Sequence, residues 1–222
     1  MVKMREVLIP IDTYHTTAKG TKINIRNGKK YKKTSATIHS TANPKSTAIN
    51  ERNWLVNPSN KSGASWNVCV DEVEAIISIP LDEKSNHSES AVGNTTSIGI
   101  EICESGDREK TLKNAIEVTV YVLKKFNLTY KDLKQHYDWN KKNCPRILRD
   151  TGRWEWFVNE VRKEMEEEVM RYQKIEEVPK YAKPTIQKLI DKKMLKGNEN
   201  GLDLSEDMIR MFVINDRAGL YK

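Results

Sequence analysis

The chain has 222 residues, 37% hydrophobic and 31% charged, with a formal net charge of +7. That is room for one medium-sized domain and a small companion. No apolar run approaches the roughly 20 residues that cross a bilayer, so no membrane span is expected, and the opening MVKMREVLIPIDTYH lacks an apolar stretch of signal length. The sequence therefore predicts a protein made in the cytoplasm without a signal peptide. Positive charge suits nucleic acid or an acidic surface. Lysines cluster only at 29–33 and 192–193, without the interleaved aromatics that stack bases. Nucleic acid is the weaker reading.

In chain order, residues 7–11 read as a short strand or packed extended segment. The basic stretch 26–34 leads into a β-branched strand ending at His39. Residues 46–55 are helix-like, with Ser46 as cap and Ala48, Trp54 and Leu55 towards the core. A turn at 58–63 precedes a hairpin of 64–70 and 73–79. Residues 82–96 are polar and loop-like. An apolar strand follows at 97–103, and a 3.6-residue stripe through Ala115, Ile116, Thr119, Val120 and Leu123 predicts a helix over 107–127. Another helix starts at Trp154. Cys69 and Cys103 lie in strand-like runs and read as free buried thiols.

The chemistry concentrates in the segment from His136 to Pro145. His136 and Cys144 are eight residues apart and meet only if Asp138, Asn140 and Asn143 loop the chain back. An imidazole and a thiolate suit zinc, one ligand short of a catalytic site. Of the other histidines, His39, where a strand meets a loop, is the best candidate, although a lone histidine is more often a plain hydrogen-bonder. His15 reads as surface or structural. Glu101 is an isolated carboxylate in an apolar strand, on the face of Gly99 and Cys103. Such a group has either a partner, a function or an outward face.

IHSTANP at 38–44, SIGIEICESGD at 97–107 and HYDWNKKNCPR at 136–146 resemble, in order and spacing, the zinc-dependent N-acetylmuramoyl-L-alanine amidases of type 2, a group that includes short phage lysins and is similar to the peptidoglycan recognition proteins. The resemblance covers about residues 5–165. It implies an α/β fold with a mixed central β-sheet flanked by helices, zinc held by His39, His136 and Cys144, and Glu101 and Lys142 as catalytic side chains. It also implies hydrolysis of the bond between N-acetylmuramic acid and L-alanine, as in a phage or prophage endolysin acting on the cell wall after release. Where the family carries a Tyr and a His, this chain has Trp66 and Asn67. Trp66 and His87 are the substrate-binding candidates, against a buried strand indole and a supporting role behind the ligands.

The expected organisation is a catalytic domain at 1–168, a linker at 169–179 and a small all-α module at 180–222. The module loosely resembles an S-layer-homology repeat. Its nine Lys or Arg against six Asp or Glu suit anionic wall polymers, and pairing into a homodimer is the alternative use. Three further classes compete with the enzyme: a non-catalytic peptidoglycan-binding protein of the same fold, a structural zinc protein and a nucleic-acid binder. Cys144 separates the enzyme from the first, and the lack of an evident fourth ligand argues against the second.

Overall fold

The computed structural model describes residues 2–169 and 171–221, with backbone alone at 167–169. The chain forms two compact units, Met1–Arg162 and Lys163–Lys222. Among the described residues no helix is long and apolar enough to cross a membrane.

The first unit is a mixed α/β structure. Its elements begin with β1 (Lys3–Glu6), the hairpin β2 (Thr13–Thr16) and β3 (Lys22–Arg26), and β4 (Ser35–Ser40). Helix α1 (Ala48–Leu55), the antiparallel pair β5 (Val68–Val70) and β6 (Glu74–Ile77), helix α2 (Ala91–Thr96) and β7 (Ser97–Ile102) follow. Then come α3 (Arg108–Lys125), β8 (Leu133–Gln135), α4 (His136–Asn140), α5 (Arg146–Arg149) and the start of α6 (Trp154–Val169), which runs past the end of this unit. The six-stranded sheet runs β1-β6-β5-β7-β4-β8, parallel except for the β5–β6 pair.

Both faces of this sheet are covered, which is why its central strands read as near-continuous apolar runs. Ile98, Ile100 and Ile102 of β7 are fully buried, and α3 packs across β4, β5, β6 and β7. The helix begins where Asp107 caps the Lys110 N–H, and its buried stripe includes Leu112, Ala115, Ile116, Thr119 and Leu123. Each Leu or Ile of that stripe contributes roughly 1.5–3 kcal/mol on burial. A second core joins Ala48, Leu55, Trp66, Cys69, Ile76 and Cys103. In β7 the residues between the isoleucines are Gly99 and Glu101, so alternation gives them the opposite face. Register pairs His39 with Glu101 across β4 and β7.

Val7 and Ile9 extend β1 through bonds to Ile77 O and Ser78 O, the packed extended segment expected there. Other expectations change. Thr47, not Ser46, caps α1 through Asn50 N–H, because the helix begins at Ala48 and so puts residue 47 at its cap position. Trp54 is 43% exposed rather than core, since Ala48, Glu51 and Leu55 form the inward stripe. The polar stretch 82–96 holds α2 and is largely packed inside: Glu83, Ser85, His87 and Ser88 are buried.

In the second unit, α7 (Lys183–Asp191) and α8 (Glu206–Arg217) enclose Val178, Ala182, Ile186, Leu204, Ile209 and Val213. Ser205 caps α8 through Met208 N–H, as the sequence predicts. Between the helices, Gly197 and Gly201 both take positive φ, and a Cβ at Gly197 would collide with the Gly201 carbonyl. Part of the expected linker belongs to this unit: Tyr172 bridges Leu204, and Tyr172 and Ile175 pack on the core. The expected boundary at 168/169 falls where side chains lie outside the described residues.

Candidate metal centre

The strands β4, β7 and β8 are parallel, and their carboxyl ends open together, the usual place for a site in an α/β sheet. His39 is the fifth residue of β4, Glu101 the fifth of β7, and His136 follows β8 directly. Cys144 returns to them by a short path. Residues 136–140 make one turn of helix, not the loop expected from their polarity. Asp138 accepts from Gln135 N–H at its start, and Lys141 ends it in the left-handed region at φ 66°. Tyr137 N–H then bonds Cys144 O at 3.1 Å, which closes the return.

Ligand atoms of His39, His136 and Cys144 lie within 4.8 Å of one another, and all three residues are buried. The two Nδ1 atoms face each other at 3.1 Å, with Cys144 Sγ 3.8 Å from His39 Nδ1. Glu101 Oε1 stands 4.0 Å from His39 Nδ1. The structure thus brings together four of the residues singled out in the sequence. Lys142 is exposed at the cleft rim and makes the surroundings positive: it lowers the proton affinity of His39, His136 and Glu101.

Burial sets the protonation of the cluster. It holds His39 well below its ordinary range and His136 at about 4, so both imidazoles are neutral donors. It pushes Glu101 to about 8, with Glu51 adding to the rise and Lys142 opposing it. It raises the Cys144 thiol to about 12, with Glu101 adding. A thiol in that position ionises only beside a cation. Glu101 Oε2, His136 Nε2, His87 Nε2 and Trp66 Nε1 are buried without a hydrogen-bond partner. Two neutral imidazoles, a thiol in need of a cation and unsatisfied polar atoms around them fit a bound metal ion.

His87 and Trp66 both line this cleft. His87 is turned onto His39, with Nδ1 2.9 Å from His39 Nε2. Trp66 precedes β5 and is 8% exposed. His15 is structural, as expected: its Nε2 bonds Leu55 O and its Nδ1 accepts from Gly63 N–H. Cys69 and Cys103 are free, their Sγ atoms 3.4 Å apart in the core.

Sequence reasoning missed two parts of the cleft. Glu51 lines it, held up by burial while Ser46 and Asn43 pull its proton affinity down. Its signal is the spacing of Ala48, Glu51 and Leu55 on one helical stripe. Arg146 also lines it and grips Glu104 with two nitrogens, while Glu104 accepts from Ala42 N–H. That pair ties the segment after β7 to the segment after Cys144.

The fold and cleft define a mixed α/β protein with a buried two-histidine, one-cysteine cluster beside a carboxylate. The profile of the N-acetylmuramoyl-L-alanine amidase family matches residues 29–147. The chain belongs to that family. It is 33% identical over 166 residues to the N-acetylmuramoyl-L-alanine amidase CwlA of Bacillus sp, covering 72% of this chain and 61% of that protein. The catalytic domain of XlyA superposes with a TM-score of 0.62 at 31% identity, covering 72% of this chain and 99% of that one. A mutant endolysin from Bacillus subtilis gives a TM-score of 0.64 at 31% identity with the same coverage. The chain spans between 41% and 61% of the length of the first three curated relatives.

Proposed function

We propose that this protein is a zinc-dependent N-acetylmuramoyl-L-alanine amidase of the endolysin type, hydrolysing the amide between N-acetylmuramic acid and L-alanine in bacterial peptidoglycan. The observation that carries the reading is the convergence of His39, His136 and Cys144 within 4.8 Å, with Glu101 4.0 Å from His39. His39, His136 and Cys144 would hold the metal. Zinc, when bound, supplies a Lewis acid for the amide carbonyl and lowers the pKa of water towards ~7.

The remaining work falls to the chain's own side chains. Glu101, with one oxygen lacking a partner, takes a proton from the attacking water and returns it to the leaving nitrogen. Its raised proton affinity suits both transfers. Lys142 holds a fixed positive charge at the rim, where negative charge develops on the former carbonyl oxygen. The Trp66 indole N–H is a buried donor in the cleft without a partner and serves to bind substrate. We assign the second unit to wall retention, with 180–222 and its local excess of positive charge directed at anionic wall polymers. The loose S-layer-homology likeness supports that use, and a homodimer is its rival.

Digestion of purified peptidoglycan tests the whole reading. New L-alanine amino termini should appear without new reducing sugar ends, cease with a chelator and return with zinc. Binding without any cleavage would instead make the chain a peptidoglycan-binding protein of this fold.

A further inference from the structure

His87, a candidate for the substrate surface or for a supporting role behind the ligands, lines the cleft with its ring turned onto His39. His39 has two ring nitrogens. Nδ1 faces His136 Nδ1 at 3.1 Å and Cys144 Sγ at 3.8 Å, and Nε2 faces His87 Nδ1 at 2.9 Å. A neutral imidazole carries one hydrogen. For Nδ1 to offer a lone pair to a cation, that hydrogen must sit on Nε2. Nε2–H then donates to His87 Nδ1, which must be bare, so the His87 hydrogen lies on its own Nε2. That atom is buried without a hydrogen bond of good geometry, although main chain at Ser97 and Gly93 lies near enough to favour a hydrogen on the ring. The tautomer that puts a hydrogen there is the one His39 requires.

The neighbouring chain holds His87 in this pose. The Asn94 side-chain oxygen accepts from both His87 N–H and Ser88 N–H at 2.9 Å. On the ring's other side is Gly99, between Ile98 and Ile100 of β7. A Cβ there would stand 2.8 Å from His87 Cγ and 3.1 Å from its Cβ and Cδ2. Gly99 is therefore where the strand makes room for the ring.

We propose that His87 is a positioning residue of the metal centre: by accepting from His39 Nε2–H it fixes the tautomer and angle of that ligand, and Gly99 and Asn94 exist at their positions to seat it. This rests on the zinc reading of the same site. It goes further by removing His87 from the substrate surface and by giving Gly99 a role.

The test replaces His87 with two side chains of similar size. Asn offers an oxygen close to the place of Nδ1, whereas Leu fills the space without an acceptor. Zinc affinity is read by competition with a chromophoric chelator, and 15N imidazole spectra of the metal-free protein report the His39 tautomer. His87→Asn should bind zinc within about threefold of the parent and keep hydrogen on His39 Nε2. His87→Leu should bind about 10–100-fold more weakly, the usual scale for losing such a partner, and show mixed tautomers. Gly99→Ala should resemble His87→Leu. Equal affinities for the Asn and Leu variants, whether both normal or both weak, would overturn the proposal, since packing alone would then explain His87. The tautomer signal needs no zinc, so its presence in a chain that binds zinc but cuts no wall would sink the amidase reading and leave this one standing, whereas failure to bind zinc would overturn both. Hydrogen on His39 Nδ1 in the parent would do the reverse.

Discussion

His15 and His39 are equally buried, at 3% and 2% exposure, yet they belong to regions built on different terms. On the hairpin side, both His15 nitrogens are satisfied by main chain, with Leu55 O at 2.8 Å and Gly63 N at 3.2 Å. Around His39, ring nitrogens meet other imidazoles and a thiol, and four nearby polar atoms have no partner. An unsatisfied buried group costs roughly 1–3 kcal/mol. Several gathered in one cleft suit a site that something else completes. Saturation of the polar groups, not burial, separates the region made for stability from the region made for binding.

The comparison can be broken most sharply at Glu101. Glu101→Ala should keep fold and zinc and lose about 10²–10⁴-fold in turnover. Steady-state rates on a muramoyl peptide within twofold of the parent would refute its role. Next in size, His87→Leu should lower zinc affinity by the margin given above while leaving the hairpin side untouched. His15→Ala is the reciprocal change. It strands Leu55 O and Gly63 N–H, so denaturant unfolding should show a loss of about 1–3 kcal/mol with zinc affinity unaltered. A fall in zinc affinity there would erase the distinction between the regions.

The smallest effect is on the pH dependence of the chelated protein. Burial lowers His136 to about 4 and His87 to about 3. The unfolded chain takes up those protons near 6.5 while the folded one does not. Stability is therefore present above 6.5 and declines as pH falls towards 4 and 3. Glu101 is raised to about 8, first by burial. Its contribution is present below about 4.5 and is lost as pH rises through 8. Melting temperatures should fall at both ends, and Glu101→Gln should remove the alkaline decline that ends at about 8, leaving the later one above about 9 where burial holds the Cys144 and Cys69 thiols protonated. An undiminished alkaline decline in that variant would contradict the burial of its charge.

Much of the centre was legible because its chemistry sits in short motifs. His136, Cys144 and Pro145 announce a return of the chain, and strand alternation gives Glu101 the Gly99 face before any coordinates. Helix α3 follows from its apolar stripe. What stayed hidden depends on long-range hydrogen bonding. The stretch 82–96 looks like a polar loop, but Ser85 donates to Asn67, Asn86 to Asn24 O and Ser88 to Asn94. Those bonds let polar side chains be buried. The hairpin of β2 and β3 was invisible for a similar reason: its strands are rich in Thr, Lys and Asn, and only His15, Ile25 and Arg26 are buried. Glu51 shows only through its place on the stripe of Ala48 and Leu55, and nothing local distinguishes Arg146 facing a cleft from an arginine facing solvent.

X-ray absorption at the zinc edge of the reconstituted protein tests the central claim most directly. The expected result is one zinc per chain, two nitrogen neighbours at about 2.0–2.1 Å and one sulfur at about 2.3 Å, with the sulfur shell lost in Cys144→Ser. A shell without sulfur in the parent, or one with sulfur that survives Cys144→Ser, would contradict it.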